Sequence, residues 1–220
     1  MTDIIDFITS RYKIVLASSS PRRYEIMHDT MGFSKVELMT PQFEENLDKE
    51  TYADKPEQYA VATSLHKAHD IVAQLQHENQ KSTEPRIVVC ADTIVIGPNN
   101  TIYEKPGTPE KQLKDLVYFC FGTDEPVRVV TAVTLVKWNG KHEGYSLHQF
   151  HETSKVHFDR EIPEAVVEAY VESKDGLQVA GGFKVQGASG VLISSIEGDF
   201  FNIVGLPLNK TFKAILEQAS

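Results

Sequence analysis

The chain has 220 residues, enough for one large domain or two closely packed lobes. Its formal net charge of −9 argues against a duplex-binding surface built on clustered lysine and arginine, and no apolar run is long enough to cross a bilayer. Neither nucleic acid nor a membrane is therefore an expected partner, whereas a small anionic ligand is compatible if a local basic cluster and a bound cation offset the field of the whole molecule.

Residues 1–12 read as an amphipathic extension that packs Ile4, Ile5, Phe7 and Ile8 on the body. Acids precede its short apolar stretch, and the basic start of a secretory signal is missing, so a cytoplasmic location is expected. The segment Ile14–Met27, IVLASSSPRRYEIM, reads as a strand running straight into a helix. Ser20 falls at the N-cap and Pro21 at the first helical position, where a missing N–H costs nothing. Ser18, Ser19, Ser20, Arg22 and Arg23 either cradle a phosphate chain at that helix start or cap a helix beneath two solvated arginines.

Val36–Met39 is a candidate strand leading into TPQFEENLDKET, where Glu44, Glu45, Asp48 and Glu50 crowd together. Read alone, this loop is a solvated surface; the alternative is a hard-cation site, since magnesium and manganese favour carboxylate oxygens. From Pro56 a helical stripe of Tyr59, Ala62, Leu65, Ala68, Ile71, Val72 and Leu75 places Lys67 off its centre. After a break at Glu84–Arg86, IVVCADTIVIG reads as a buried strand interrupted by Asp92. A carboxylate there is costly to bury unless it is paired, metal-bound or at the strand's mouth.

A turn at Pro98–Asn100 returns the chain through Thr101–Tyr103 to Lys105, after which Thr108 and Pro109 open a helix that runs to about Phe121 and ends at Gly122. Val127–Trp138 reads as a strand joined by a hairpin at Asn139–Gly140 to a partner over Lys141–Phe150, continuing toward Val156–Phe158. His148 and His151 fall on opposite faces of that strand and make no metal pair, while Cys90 and Cys120 sit in apolar runs as reduced core residues. Pro163 opens a further helix that closes near Ser173. The glycines of AGGFKVQGASGVLISSIEGDFFNIVGLPL then permit tight turns and close backbone approach to a ligand, before Pro207 starts a C-terminal helix with Phe212, Ile215 and Leu216 inward. Alternating strands and helices followed by a hairpin region imply an α/β (α+β) chain around one mixed twisted sheet, in a single domain over residues 1–220.

Read together and in order, LASSSPRR, the acidic loop, the Lys-Ala pair of SLHKAHD, ADT, EKP and the AGGFKVQG…GDFFNIVGLP pairing resemble the Maf-like nucleotide pyrophosphatases from about Ile14 to Leu216. The resemblance implies an ITPase-like fold, with a long sheet and two lobes around a central cleft that holds a nucleoside triphosphate. It implies hydrolysis to a nucleoside monophosphate and pyrophosphate, with Asp92 as the catalytic proton acceptor. Ser18, Ser20, Arg22, Arg23, Lys67, Thr93, Lys105 and Gln186 would bind the substrate, and Glu45 with Asp92 would hold Mg2+ or Mn2+, Glu44 being the substitute for Glu45. Asp199 and Asn202 would fix the loop geometry, and a homodimer is the association implied. Members of the family divide between dTTP, UTP and related nucleotides and 7-methyl-GTP; a pyrimidine preference is the working expectation. A nucleotide-sensing regulator without turnover and a monophosphate phosphatase are the rival readings.

The chain departs from the family pattern in carrying Asp175 and Val179 where a glutamate and a lysine are usual. ETSKVHF carries one residue more than the pattern between Thr153 and Val156, and the loops around 76–85 and 122–126 are longer.

Overall fold

The computed structural model describes residues 1–78, 84–140 and 144–220. Residues 79–83 of the long loop read at 76–85, and the first residues of the hairpin's return strand, 141–143, lie outside the described residues, while 76–78 form the end of a helix. Strand β1 (Lys13–Ala17) lies between β2 (Val36–Leu38) and β3 (Arg86–Ile96), parallel to both. From β3 the sheet continues antiparallel through β5 (Val127–Trp138), β6 (Tyr145–Phe158) and β7 (Ile193–Glu197), while the short β4 (Ile102–Tyr103) pairs with the end of β3. The order β2-β1-β3-β5-β6-β7 makes one mixed sheet of seven strands among the described residues.

The near-continuous apolar sequence of β3 follows from cover on both faces. Successive side chains alternate across the sheet, so Ile87, Val89 and Ala91 share one face. They pack with Ile5 and Ile8 of α1 (Thr2–Thr9) and Ala214 and Ile215 of α7 (Leu208–Ala219). Val88 and Cys90 face the other way, against Ala68, Ile71 and Leu75 of α3 (Glu57–Glu78). Further along the strand the covering changes. Val95 joins Leu116 of α4 (Pro109–Val117) and Val167 and Tyr170 of α5 (Glu164–Glu172). On the opposite face Ile94 and Ile96 meet Tyr59 and Ala60 from the start of α3.

Between these four cores lie Asp92 and Thr93, which belong to none of them. The sheet is continuous there but its apolar cover is not: on each face one apolar cluster ends and another begins, with the buried polar residues Thr63, Ser64 and Lys67 of α3 between the two on one side, and the polar dipeptide lies at this gap.

Several elements differ from the sequence expectation. Helix α2 (Pro21–Glu25) is only five residues long before it widens into a π turn at Ile26–Thr30, and α4 widens likewise at Tyr118–Gly122. Pro163 and Pro207 stand at the N-caps, just outside their helices. β6 is a single strand because its ladder with β5 runs from Trp138↔Tyr145 to Val127↔Val156 without a break, carrying the polar ETSK stretch along. The pairing of β6 with β7 shifts register at His157/Phe158. β7 and the short α6 (Phe200–Val204) were not expected within the glycine-rich region. No helix among the described residues is long and apolar enough to cross a membrane.

Candidate active site

A cleft of about 670 Å3 opens at the gap in the sheet's cover, and every residue singled out from the sequence as a site residue lines it: Ser18, Ser20, Arg22, Arg23, Glu45, Lys67, Asp92, Thr93, Lys105 and Gln186. Glu44 does not; its carboxylate accepts from Asn46 Nδ2 at 3.2 Å on the exposed side of the loop. Of the two neighbouring acids, Glu45 is the one turned to the cleft.

At the floor is a compact ionic centre. Lys67 and Asp92 are each 6% exposed. Lys67 Nζ lies 3.1 Å from Asp92 Oδ1, 2.8 Å from Glu45 Oε1 and 3.3 Å from the Ala91 carbonyl oxygen. Three ammonium protons thus meet three acceptors, which explains how a buried lysine and a buried carboxylate are tolerated together. Burial alone would raise the Glu45 carboxyl's pKa, but Lys67, with Lys105 and Arg23 behind it, holds it below the ordinary 4.5. Asp92 Oδ2 makes no hydrogen bond among the described residues, so one oxygen of this acid stays available to the cleft.

The two arginines of the SPRR stretch are deployed differently. Arg23 braces three segments: Nη1 donates to Ser18 Oγ at 3.1 Å, Nη2 to Thr93 Oγ1 at 3.0 Å and Nε to the Gly205 carbonyl at 2.9 Å. Thr93 also contacts Thr131 Oγ1 at 2.9 Å, and Thr131 bonds Asn202 through both its N–H and its hydroxyl. Asn202 is itself fixed by Val129 O and Ser154 Oγ, and Asp199 caps α6 by accepting from Phe201 N at 2.8 Å. One polar network therefore ties β3, β5, β6 and the GDFFN turn to the serine loop. Burial lowers the Arg23 pKa, against which Asp92 and Glu45 pull it up. Arg22 makes no side-chain hydrogen bond among the described residues; burial lowers its pKa too, with Asp175 and Glu25 raising it. It lines the cleft with its donors uncommitted.

The helix start contributes less than the sequence suggested. Ser20 caps α2 with a long contact of 3.5 Å to Arg23 N and Ser18 Oγ accepts from Ser20 N at 3.2 Å, so both serine hydroxyls are engaged within the turn itself. The positive character of the cleft comes mainly from side chains.

Opposite the serine loop stands the glycine-rich segment. Gly176 is required there because a Cβ would lie 1.9 Å from Gly182 O, and Gly181 adopts φ +70° against Val95. This close packing presents Gln186, exposed, and Lys184 to the cleft. Lys184 was missed in the sequence, although it is the sole basic residue of the AGG–QG turn. Its Nζ lies 2.5 Å from Asp175 Oδ1, with both side chains about one-third exposed (32% and 34%), so the pair contributes at most about 1 kcal/mol. Val179 lines the cleft as an apolar side chain, and Lys184 supplies a cation five residues later. Phe43, also missed, stacks on His66 at 4.9 Å beside Glu45.

Glu45 and Asp92 suit a divalent cation of the oxygen-preferring kind. Their carboxylates already converge on one positive centre, the Lys67 ammonium, and a magnesium-type ion characteristically takes one or two protein carboxylates and completes its shell with water and substrate phosphate. No group of three or more candidate metal ligands occurs among the described residues.

An α/β fold with a cleft lined by five cationic side chains around the buried Asp92 and the half-exposed Glu45 defines a protein built to hold a polyphosphate-like anion. Residues 13–218 match the family model described as "Maf-like protein", and the chain belongs to that family. It is 52% identical over 222 aligned residues to a Saccharomyces cerevisiae protein named "dTTP/UTP pyrophosphatase", covering 99% of this chain and 95% of that one. A Schizosaccharomyces pombe protein of the same name is 40% identical, over 94% of this chain and 83% of its own. Among solved structures, one described as "The structure of the Staphylococcus aureus Ham1 protein" aligns with 66% of this chain and 71% of that one at 13% identity and a TM-score of 0.35, too slight a likeness to add to the architecture above.

Proposed function

We propose that the protein hydrolyses nucleoside triphosphates, dTTP and UTP among them, to the nucleoside monophosphate and pyrophosphate, with Mg2+ or Mn2+ bound at Glu45 and Asp92. The observation that carries this reading is the Asp92 carboxylate at the cleft floor, one oxygen held by Lys67 and the other uncommitted, beneath the cations Arg22, Arg23, Lys105 and Lys184. The names of the yeast relatives supply the substrate class.

In this mechanism water attacks the α-phosphorus, a new P–O bond forms, and the bond from that phosphorus to the α,β-bridging oxygen breaks. Asp92 Oδ2 accepts the water's proton, while Lys67 fixes the carboxylate's orientation through Oδ1. Arg22 and Lys105 neutralise and orient the phosphate chain, Gln186 orients it through its amide, and Arg23 holds Ser18 and Thr93 in place beside it. A bound divalent cation would add positive charge beside the reacting oxygens and acidify its own water. Preorganised donors of this kind are each worth roughly 3 kcal/mol of barrier. A cytoplasmic setting belongs to the same reading, since Cys90 and Cys120 are buried and unpaired; so does a homodimer, which light scattering would test.

The experiment is product analysis across dTTP, UTP, 7-methyl-GTP and the common nucleotides, with Mg2+, Mn2+ or a chelator. Pyrophosphate and monophosphate in equal amounts, dependent on the cation, are expected. Orthophosphate as the product would point to a phosphatase, and tight binding without turnover to a sensor.

A further inference from the structure

Five cationic side chains line the cleft, and they are not equivalent. Lys67 is saturated by Glu45, Asp92 and Ala91, and Arg23 by Ser18, Thr93 and Gly205. Neither can turn to a ligand without giving up partners that hold the fold. Lys184 is the opposite case: its one ion pair, to Asp175, is open to solvent and cheap to exchange.

Its backbone, in contrast, is fixed. Lys184 N donates to Ser189 Oγ at 2.9 Å, and the same buried hydroxyl donates back to Lys184 O at 2.6 Å. Gly187 N closes the turn onto Lys184 O at 2.9 Å, and its Cα side packs so closely that a Cβ would meet Asp175 Oδ2 at 3.1 Å. A rigid turn thus carries a side chain whose only ion-pair partner among the described residues is a partly exposed carboxylate. Asp175 also acts on a second cation: its charge opposes the lowering of the Arg22 pKa by burial, and Arg22 lines the cleft with no side-chain hydrogen bond among the described residues. Glu25, which also lines the cleft, acts on Arg22 in the same way, so the two cations of this wall are balanced by carboxylates that a phosphate chain can replace.

Resting on the reaction proposed above, we propose that Lys184 and Arg22 form the binding site for the terminal phosphates that leave as pyrophosphate, with Asp175 a placeholder anion that holds Lys184 while the cleft is empty. On binding, Lys184 moves from the carboxylate to the β- and γ-phosphate oxygens. Asp175 is then a positioning residue, and Lys184 touches the substrate.

Inert probes separate this from the reaction itself: inorganic pyrophosphate, a nucleoside monophosphate and an α,β-methylene nucleoside triphosphate, each titrated calorimetrically. Lys184→Met is expected to weaken pyrophosphate and the triphosphate analogue about tenfold, and the monophosphate by less than twofold. Lys184→Arg should restore most of the loss. Asp175→Asn, which frees the lysine, should leave pyrophosphate binding at least as tight as in the parent protein. Equal weakening of all three probes by Lys184→Met, or a loss of pyrophosphate binding in Asp175→Asn that matches it, would show the pair to be a loop brace and overturn the proposal. Because none of the probes is hydrolysed at the α,β-bond, these results decide the role of Lys184 even if the parent protein releases no pyrophosphate.

Discussion

The adjacent arginines give the sharpest contrast, because the geometry assigns one to the fold and the other to the ligand. Arg23→Lys keeps the charge but replaces a planar fork of three engaged nitrogens with one ammonium, which cannot reach Ser18, Thr93 and Gly205 at once. At least two hydrogen bonds are lost. The acceptors keep other contacts, since Ser18 Oγ still receives Ser20 N, Thr93 still meets Thr131, and Gly205 O still faces Thr93 Oγ1 at 3.4 Å. With each lost bond worth about 1 kcal/mol net, and somewhat more from a charged donor, the destabilisation should be about 2–3 kcal/mol. For a chain of this size that lowers Tm by roughly 4–12 °C. Arg22→Lys breaks no hydrogen bond among the described residues and should change stability by less than about 0.5 kcal/mol, while raising KM. Urea denaturation and steady-state kinetics on the two variants make the comparison. Equal stability of the two variants would refute the assignment of Arg23 as the brace.

Three further outcomes follow from the same structure. Lys67→Met leaves Glu45 and Asp92 without their shared cation, and because Glu45 is half exposed the cost should fall near the low end of that for a broken buried pair, roughly 3 kcal/mol in urea denaturation; a neutral effect would contradict the centre described. Glu45 has a folded pKa below its ordinary 4.5, so it adds stability above that pH and loses it as pH falls through the folded value; Glu45→Gln should flatten the acid limb of the stability curve below pH 4.5, modestly because of solvent screening. Burial pushes the Cys90 thiol up to about 12 and Cys120 up to about 11, so a thiol reagent at pH 8 should label neither in the folded protein and both after denaturation; rapid labelling of the native protein would place a thiol outside the core.

Much of the site could be read from the chain because its chemistry interrupts local patterns. Asp92 stood out as an acid within an apolar strand, and the structure puts it where the cover of the sheet changes from one core to the next. Ser20 and Thr108 announced their helices through cap chemistry, and both do cap them. What sequence could not supply was the pairing of distant segments. The brace from Arg23 to Thr93 and Gly205 spans 70 and 182 residues, and no local spacing encodes it. β7 escaped notice because an edge strand with the burial of ISSIE is mostly exposed and lacks a clear alternation, and α6 is a single capped turn and a little more. The π turns after α2 and α4 arise where packing widens a helix, a choice made by tertiary contacts. No local pattern marks Lys184; its place opposite the serine loop emerges only when the glycine turn is folded.

The central claim is that Asp92 takes the proton from the attacking water, and the turnover of Asp92→Asn tests it most directly. With dTTP and a divalent cation, the account predicts that this variant binds the α,β-methylene analogue within a few-fold of the parent protein while kcat for pyrophosphate release falls about a thousandfold. Pyrophosphate release at close to the parent rate would contradict it.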